Sequence, residues 1–467
     1  MSVVSYSFLL AFFPLALILF RVLKGPSRQV WLLLTGLLFC AWGAPQRLVL
    51  LGCTGYVTYR LGLGMDRQDG KNRLRLALGC VAALAPLVVF KYLPLGHSLG
   101  SWAPLGLSFV TFQQLFWLRD RYYGEAEGVS ALDYACCLTF FPTVSSGPIT
   151  RVGELVPQLR RPRAFSWDDM ASGLWCFSLG LFKKVLLSGI FAGAADWGFP
   201  RAGQLSATDA ALTALCYALQ LYFDFSGYCD MVWGGARMMG IDLPVNFDSP
   251  YRATSVSSFW KRWHATLNRF FTQCVYIPLG GSRRGMAVTC RNIFIVFLLS
   301  GLWHGAGWGF LIWGALHGAA MVIERLCRGH FTLPKPLGWL FTFLFVAAAW
   351  VFFRADSPVQ AMELFHDLFR GGWVLPSSGL AGALVTPETR AMTLFAGMIR
   401  WNTGNLFSYK LPLLSIPVGC ALLLFPNPVR QAQSFRPSVW KGLVCVLILV
   451  WSVFSLSGVE TFIYANF

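Results

Sequence analysis

Ser257-Ser258-Phe259-Trp260-Lys261-Arg262-Trp263-His264 opens a stretch that decides how this chain is read. It continues through Tyr276-Ile277-Pro278-Leu279-Gly280-Gly281-Ser282-Arg283-Arg284-Gly285, enters an apolar run carrying Leu302-Trp303-His304-Gly305, and ends on His317-Gly318. Three of the six histidines fall in this window, two of them inside segments apolar enough to read as membrane. An ionisable ring in hydrocarbon is costly, which makes each one a functional candidate.

Outward from that window the apolar pattern repeats. Stretches at 5–23, 30–63, 76–95, 103–118, 131–149, 168–198, 207–241, 288–303, 306–327, 338–353, 409–425 and 440–457 are long enough to cross or enter a bilayer, where a span takes about 20 residues. The expectation is an all-α polytopic membrane protein, a single membrane domain over residues 1–467 with about eleven spanning or re-entrant helices. Gly43-Ala44-Pro45 is expected to break the second stretch in two. Residues 3–20 read as an uncleaved first span, because no basic segment precedes them and no small-residue cleavage site follows.

Composition agrees. Of 467 residues, 56% are hydrophobic and 13% charged, against about 25% charged in soluble chains. The mean hydropathy is +0.56. The net charge of +17 belongs to cytoplasmic loops beside anionic lipid. Nucleic acid is excluded as a partner, since the basic residues are dispersed among apolar segments. Thirteen cysteines with no Cys-x-x-Cys pair suggest neither a zinc site nor a disulfide framework.

Loops with Arg21/Lys24/Arg28, Arg67/Lys71/Arg73/Arg75, Arg151/Arg160/Arg161/Arg163 and Arg430/Arg436/Lys441 are expected on the cytoplasmic side, with both termini outside. The sparsely charged segment 371–408 reads as an external loop or small subdomain. Residues 257–272 form an amphipathic helix at 100° per residue. Phe259, Trp260, Trp263, Leu267, Phe270 and Phe271 fall on one side, Ser258, Lys261, Arg262, Ala265, Asn268 and Arg269 on the other, and His264 at the seam. Such a helix is expected in the membrane interface plane, rings among acyl chains.

The ordered set of motifs in the 257–317 core resembles the membrane-bound O-acyltransferase family, and within it the bacterial branch that acetylates exopolysaccharides, the alginate O-acetylase type. The likeness extends to Phe140-Phe141-Pro142, Gly147-Pro148-Ile149, residues 180–185, Tyr222-Phe223-Asp224-Phe225-Ser226-Gly227-Tyr228, Phe352-Phe353-Arg354-Ala355-Asp356 and Phe462-Ile463-Tyr464. It departs at Gln114-Leu115-Phe116-Trp117 and Ser188-Gly189-Ile190, where more polar and acidic stretches are usual, and 371–408 matches nothing in it.

The resemblance implies a bacterial inner-membrane enzyme that passes an acyl group from a cytoplasmic thioester, acetyl-CoA or an acyl-carrier protein, to a hydroxyl of an extracellular polysaccharide such as alginate or cellulose. It implies no bound cofactor or metal. The implied partners are periplasmic acetylation proteins and an exopolysaccharide synthase complex, besides the bilayer itself. Teichoic acid, peptidoglycan or lipid as acceptor is the alternative within the fold; a transporter or flippase is the alternative outside it.

The resemblance makes His304 the active-site histidine. Deprotonating a hydroxyl needs a base, and imidazole titrates close to neutral pH. The plain alternative is a helix-packing histidine. His264 is the second functional histidine in the resemblance, expected to orient the donor or polarise its carbonyl, or else it is an anchor residue. His317, Trp303, Asn268 and Trp263 are expected to line the site, with packing as the alternative for His317. Lys261, Arg262, Arg283 and Arg284 are the candidate donor-binding residues, the last two on a glycine-rich turn that could equally be a plain cytoplasmic loop. Asp224 and Asp230 need partners at their depth, and Lys183 or Lys184 can supply them in helix-tying ion pairs.

Overall fold

The computed structural model describes residues 1–65, 72–93, 102–329, 333–400 and 402–458. The expectations placed on Arg67, Lys71 and Phe462-Ile463-Tyr464 lie outside the described residues. All regular structure among the described residues is helical, and helices of this apolar composition satisfy their own backbone in a bilayer.

The N-terminal part comprises α1 (Phe13–Val22), α2 (Gly25–Ala41), α3 (Arg47–Leu63), α4 (Asn72–Tyr92), α5 (Leu107–Tyr122), α6 (Ala131–Leu138) and α7 (Val152–Arg160). The centre is α8 (Trp167–Phe182), a π turn at Lys183–Leu187, α9 (Ser188–Gly198) and α10 (Ala207–Met238). Next come α11 (Val256–Arg262), α12 (Ala265–Phe271), α13 (Met286–His304), α14 (Trp308–Cys327), α15 (Lys335–Arg354) and α16 (Pro358–Arg370). The chain then runs through α17 (Ser378–Ala383), α18 (Pro387–Met398), α19 (Leu411–Leu422), α20 (Pro428–Gln433) and α21 (Val439–Phe454).

Among the described residues five helical runs are long and apolar enough to cross a membrane: Asn72–Tyr92, Trp167–Arg201, Met286–His304, Trp308–Cys327 and Lys335–Arg354. Phe8–Val22, Leu406–Leu422 and Val439–Phe454 are shorter apolar helices. The second apolar stretch breaks where expected, between α2 and α3 at Trp42–Gln46, because Gly43 adopts a φ of 76° and Pro45 lacks the donor that a continuing helix needs.

Two expectations are corrected. The stretch 131–149 is not a span: α6 stops at Leu138, and 140–150 is irregular and almost wholly buried. Pro142 and Pro148 each remove a helix donor and push the preceding residue out of the α region. Buried irregular backbone must be met by protein, and here Ile149 N–H donates to Thr266 Oγ1 at 3.0 Å. The second correction concerns 257–272. The chain breaks at Trp263–His264 into α11 and α12, and Phe259, Trp260, Trp263, Leu267, Phe270 and Phe271 are buried inside the protein rather than turned toward lipid. The 100° periodicity found the right face but not its partner.

The central helix α10 is a buried spine crossed by α8. The crossing is close because glycines meet backbone: a Cβ on Gly180 would sit 2.6 Å from Gly227 O, and one on Gly234 would sit 2.5 Å from Gly173 O. Small residues at a crossing let backbones approach and gain packing that lipid tails cannot supply. At the end of α10, Arg21 Nε and Nη2 donate to Met238 O at 2.9 and 2.6 Å, satisfying a terminal carbonyl with a cation.

The charge bias leads to a topology prediction. Reporter fusions after Arg161 and after Arg284 should read cytoplasm, and one inserted within 376–404 should read outside. A cytoplasmic signal from the last fusion would overturn the external placement of 371–408.

Candidate active site

The stretch that opened the sequence reading folds into a helical hairpin and a broken helix that bring three histidines into the core. α13 ends on His304 and α14 begins at Trp308. Gly305 separates them: a Cβ there would meet the Phe310 ring at 2.3 Å, so only glycine leaves room for that ring. The last turn of α13 is held from α4, where Lys91 Nζ donates to Trp303 O and Tyr92 OH to Leu302 O. Those carbonyls end a helix and need external donors.

His304 is 3% exposed. Its ring lies against Trp303 (4.6 Å between centroids), Phe353 (4.9 Å) and Trp313 (5.1 Å, perpendicular). The Nε1–H groups of both Trp303 and Trp313 are buried with no acceptor among the described residues. A buried indole N–H normally finds a partner, so two of them beside one imidazole is a chemically unsatisfied arrangement.

His264 reaches the same indole from the other segment, 6.4 Å from the Trp303 ring. It sits at the break between α11 and α12 with φ 45° and ψ 51°. For a non-glycine residue that left-handed backbone is strained, and it persists only where the surroundings over-determine it. Here they do. Asp248 N–H donates to Arg262 O at 2.9 Å and Ala265 N–H to Asn246 O at 2.9 Å, so the linker after α10 grips the chain on both sides of the break. The His264 ring meets Phe225 edge-on at 4.9 Å and is 1% exposed.

Two buried imidazoles share one indole on a helical membrane scaffold, and the family comparison bears on the same stretch. The family model described as MBOAT, membrane-bound O-acyltransferase family, matches residues 34–355. The chain belongs to the membrane-bound O-acyltransferase family. It is an acyltransferase, as its relatives are named. A "Peptidoglycan O-acetyltransferase" of Helicobacter pylori is 38% identical over 98% of this chain and 96% of its own length. A "Probable alginate O-acetylase AlgI" of Azotobacter vinelandii is 36% identical, covering 88% of this chain and 87% of that one. A "Teichoic acid D-alanyltransferase" of Bacillus subtilis is 27% identical over 57% of this chain and 70% of its own.

The remaining expected site residues of this family member divide into two groups. His317, in the middle of α14, is fully buried with its ring 5.1 Å from that of Trp313. Its Nδ1 accepts the Trp260 Nε1–H at 3.2 Å. Trp263 packs on Phe259 and Trp350, and Asn268 Nδ2 donates to Trp260 O at 3.1 Å; both brace the break that carries His264. Lys261, Arg283 and Arg284 are exposed and Arg262 is half-buried. The glycine turn is built from within: Gly280 and Gly281 have φ of 106° and 57°, and Asn292 Nδ2 donates to Leu279 O and Gly281 O at 3.2 and 3.1 Å. Arg269, from the same amphipathic run, pairs with Glu154 at 2.9 Å.

Asp224 and Asp230 behave as expected of buried carboxylates. Lys183 Nζ lies 2.6 Å from Asp230 Oδ2, and Lys184 pairs with Asp224. Both lysines begin the π turn, so the pairs tie that turn to α10. Sequence reasoning missed Asn246, Phe225, Trp313 and Phe353. Phe225 and Phe353 stand within motifs that carried the resemblance but were given no role there, Trp313 is an ordinary apolar position in its helix, and Asn246 stands in a linker with no periodicity to mark it.

Proposed function

We propose that this acyltransferase moves an acetyl group from a cytoplasmic thioester, acetyl-CoA or an acyl-carrier protein, to hydroxyls of a glycan polymer outside the cytoplasm. The observation that carries the reading is the pair of buried imidazoles on the Trp303 ring. In the reaction the hydroxyl oxygen forms the ester C–O bond, the thioester C–S bond breaks, and the hydroxyl proton ends on the leaving sulfur. His304 is the base that takes that proton, a step worth about 10²–10⁴-fold in rate. The indole N–H groups of Trp303 and Trp313 are suited to receive the carbonyl oxygen as it gains negative charge, since donors in a water-poor site act strongly there. Periplasmic acetylation proteins and a polysaccharide synthase are the partners this reading calls for, in a bacterial inner membrane.

Names support a glycan acceptor. The relative called peptidoglycan O-acetyltransferase aligns with 98% of the chain and those called alginate O-acetylase with 79% to 99% of it, the one from Pseudomonas fluorescens over 99% of both lengths. The teichoic acid relatives align with little more than half of it, which makes that acceptor the weaker reading. The test is alkali-labile acetate, measured separately in purified peptidoglycan and in secreted polysaccharide, with and without the gene. Ester should vanish from one fraction in the deletion strain. Unchanged acetate in both fractions would overturn the glycan acceptor.

A further inference from the structure

His264 is held by a network that fixes which of its nitrogens faces the site. Asn246 is 2% exposed, and its Oδ1 receives three groups: Thr266 N–H at 3.3 Å, Thr266 Oγ1 at 2.9 Å and His264 Nδ1 at 3.1 Å. A backbone N–H can only donate, so the Asn246 atom facing it is the carbonyl oxygen and not the amide nitrogen. The amide end agrees, because Nδ2 points to Cys229 Sγ at 3.2 Å. Thr266 Oγ1 is itself oriented, accepting from Ile149 N–H while it donates to Asn246. A carbonyl oxygen carries no proton, so His264 Nδ1 must carry the one between them. The other nitrogen of the neutral ring, Nε2, is then a lone pair, and it is buried with no hydrogen-bond partner among the described residues.

We propose that Asn246 is a positioning residue that locks His264 in the Nδ1–H tautomer, so that His264 enters acyl transfer as a proton or hydrogen-bond acceptor through Nε2. This rests on the acyltransfer reading and replaces one of the roles expected from sequence, that of polarising the donor's carbonyl. Polarising a thioester carbonyl takes a donor, and the neutral ring offers none at Nε2. His317 shows the contrast within the same protein. Its Nδ1 accepts from Trp260, so its proton sits on Nε2, the opposite tautomer, and it is no counterpart of His264.

The pH response separates the readings. The charged and titratable groups near His264 include Arg262 and Asp248 at the break itself, with Arg430 on Asp248, Cys229 behind Asn246, His304 across Trp303, Lys91 over the Trp303 ring at 5.7 Å, and the Lys183–Asp230 pair beside Cys229 on α10. Asn246→Asp keeps an acceptor at Nδ1–H and adds a negative charge there, which favours the imidazolium. If His264 must be neutral to act, the acid limb of the kcat profile moves to higher pH by about one unit or more. If His264 must be a donor, the alkaline limb moves up instead.

The experiment uses full-length purified protein in detergent, an acetyl thioester and a soluble glycan acceptor, with wild-type turnover and its loss in His304→Ala established first. Failure of that baseline would reject the acyltransfer reading itself. Given the baseline, Asn246→Ala should lower kcat on the order of 10²-fold with KM within about twofold, and Asn246→Asp should recover most of kcat at high pH with its acid limb shifted upward. An alkaline-limb shift overturns the acceptor role. Equal losses in both variants with unshifted profiles, at native elution volume, overturn the positioning role.

Discussion

His304→Ala should abolish ester formation while leaving the protein folded and at its usual level in the membrane. The imidazole is enclosed by Trp303, Trp313 and Phe353, so its removal leaves an aromatic box largely intact. Hydrogen bonds lost from a neutral buried ring cost on the order of 1 kcal/mol each, which a protein with this much buried helix contact absorbs. Loss of a base costs about 10²–10⁴-fold in rate, enough to silence an ester assay in cells. His304→Gln fills more of the space and stays polar but cannot take a proton near neutral pH, so it should fail equally. His317→Ala should behave the other way round. It strands the buried Trp260 N–H that now donates to Nδ1, a penalty of about 1–3 kcal/mol, so folded protein falls while activity per folded molecule holds. The measurement is glycan ester normalised to detergent-extracted protein of native elution volume. Substantial ester from well-folded His304→Gln would remove this histidine from the mechanism.

His304 was legible as a candidate because an imidazole beside an apolar run stands out against its neighbours, whereas His264, at the seam of a basic amphipathic run, was singled out by the motif it closes. The helix break at Gly43-Ala44-Pro45 was legible too, since turn chemistry is local. The lysine–aspartate pairing was legible for a related reason: buried charges have few permitted partners, and Lys183 and Lys184 stood within an apolar stretch of their own. What could not be read depends on contacts distant in sequence. Asn246 and His264 are 18 positions apart, and nothing in the linker Pro244-Val245-Asn246-Phe247 announces that it will clamp a helix break. The break itself was hidden because apolar side chains keep one face on both sides of it, so Trp263 and Leu267 still satisfy a single helical period. A left-handed histidine is set by its neighbours' hydrogen bonds, not by its own propensity. Likewise 131–149 has the composition of a span, and only the two prolines within it hinted that its second half is irregular.

Lys183→Met should cost far more stability than any change at the active site. The ammonium lies 2.6 Å from Asp230 Oδ2 and 5.0 Å from the Tyr222 ring centroid, and both charged side chains are at least nine-tenths buried. Methionine has the right length and no charge, so the substitution leaves the packing and strands the carboxylate. An uncompensated buried charge costs about 3–5 kcal/mol, a large part of a typical stability of about 5–15 kcal/mol. The surroundings cannot relax to let water reach it, because α8 and α10 meet backbone to backbone one turn away at Gly180 and Gly227. Asp230→Asn should be damaging for the mirror-image reason. Lys183→Met with Asp230→Leu removes both charges at once, and replacement of a buried pair by apolar groups is often neutral or stabilising. The double variant should therefore regain most of the thermal midpoint lost by the single, and with it near-wild-type ester formation per folded molecule, since neither residue is assigned chemistry. Midpoints and the monodisperse fraction in detergent test this directly. A double variant as unstable as Lys183→Met would show that the pair's geometry, and not its charge balance, holds the π turn on α10. A stable double variant without activity would move Lys183 and Asp230 from the scaffold into the reaction.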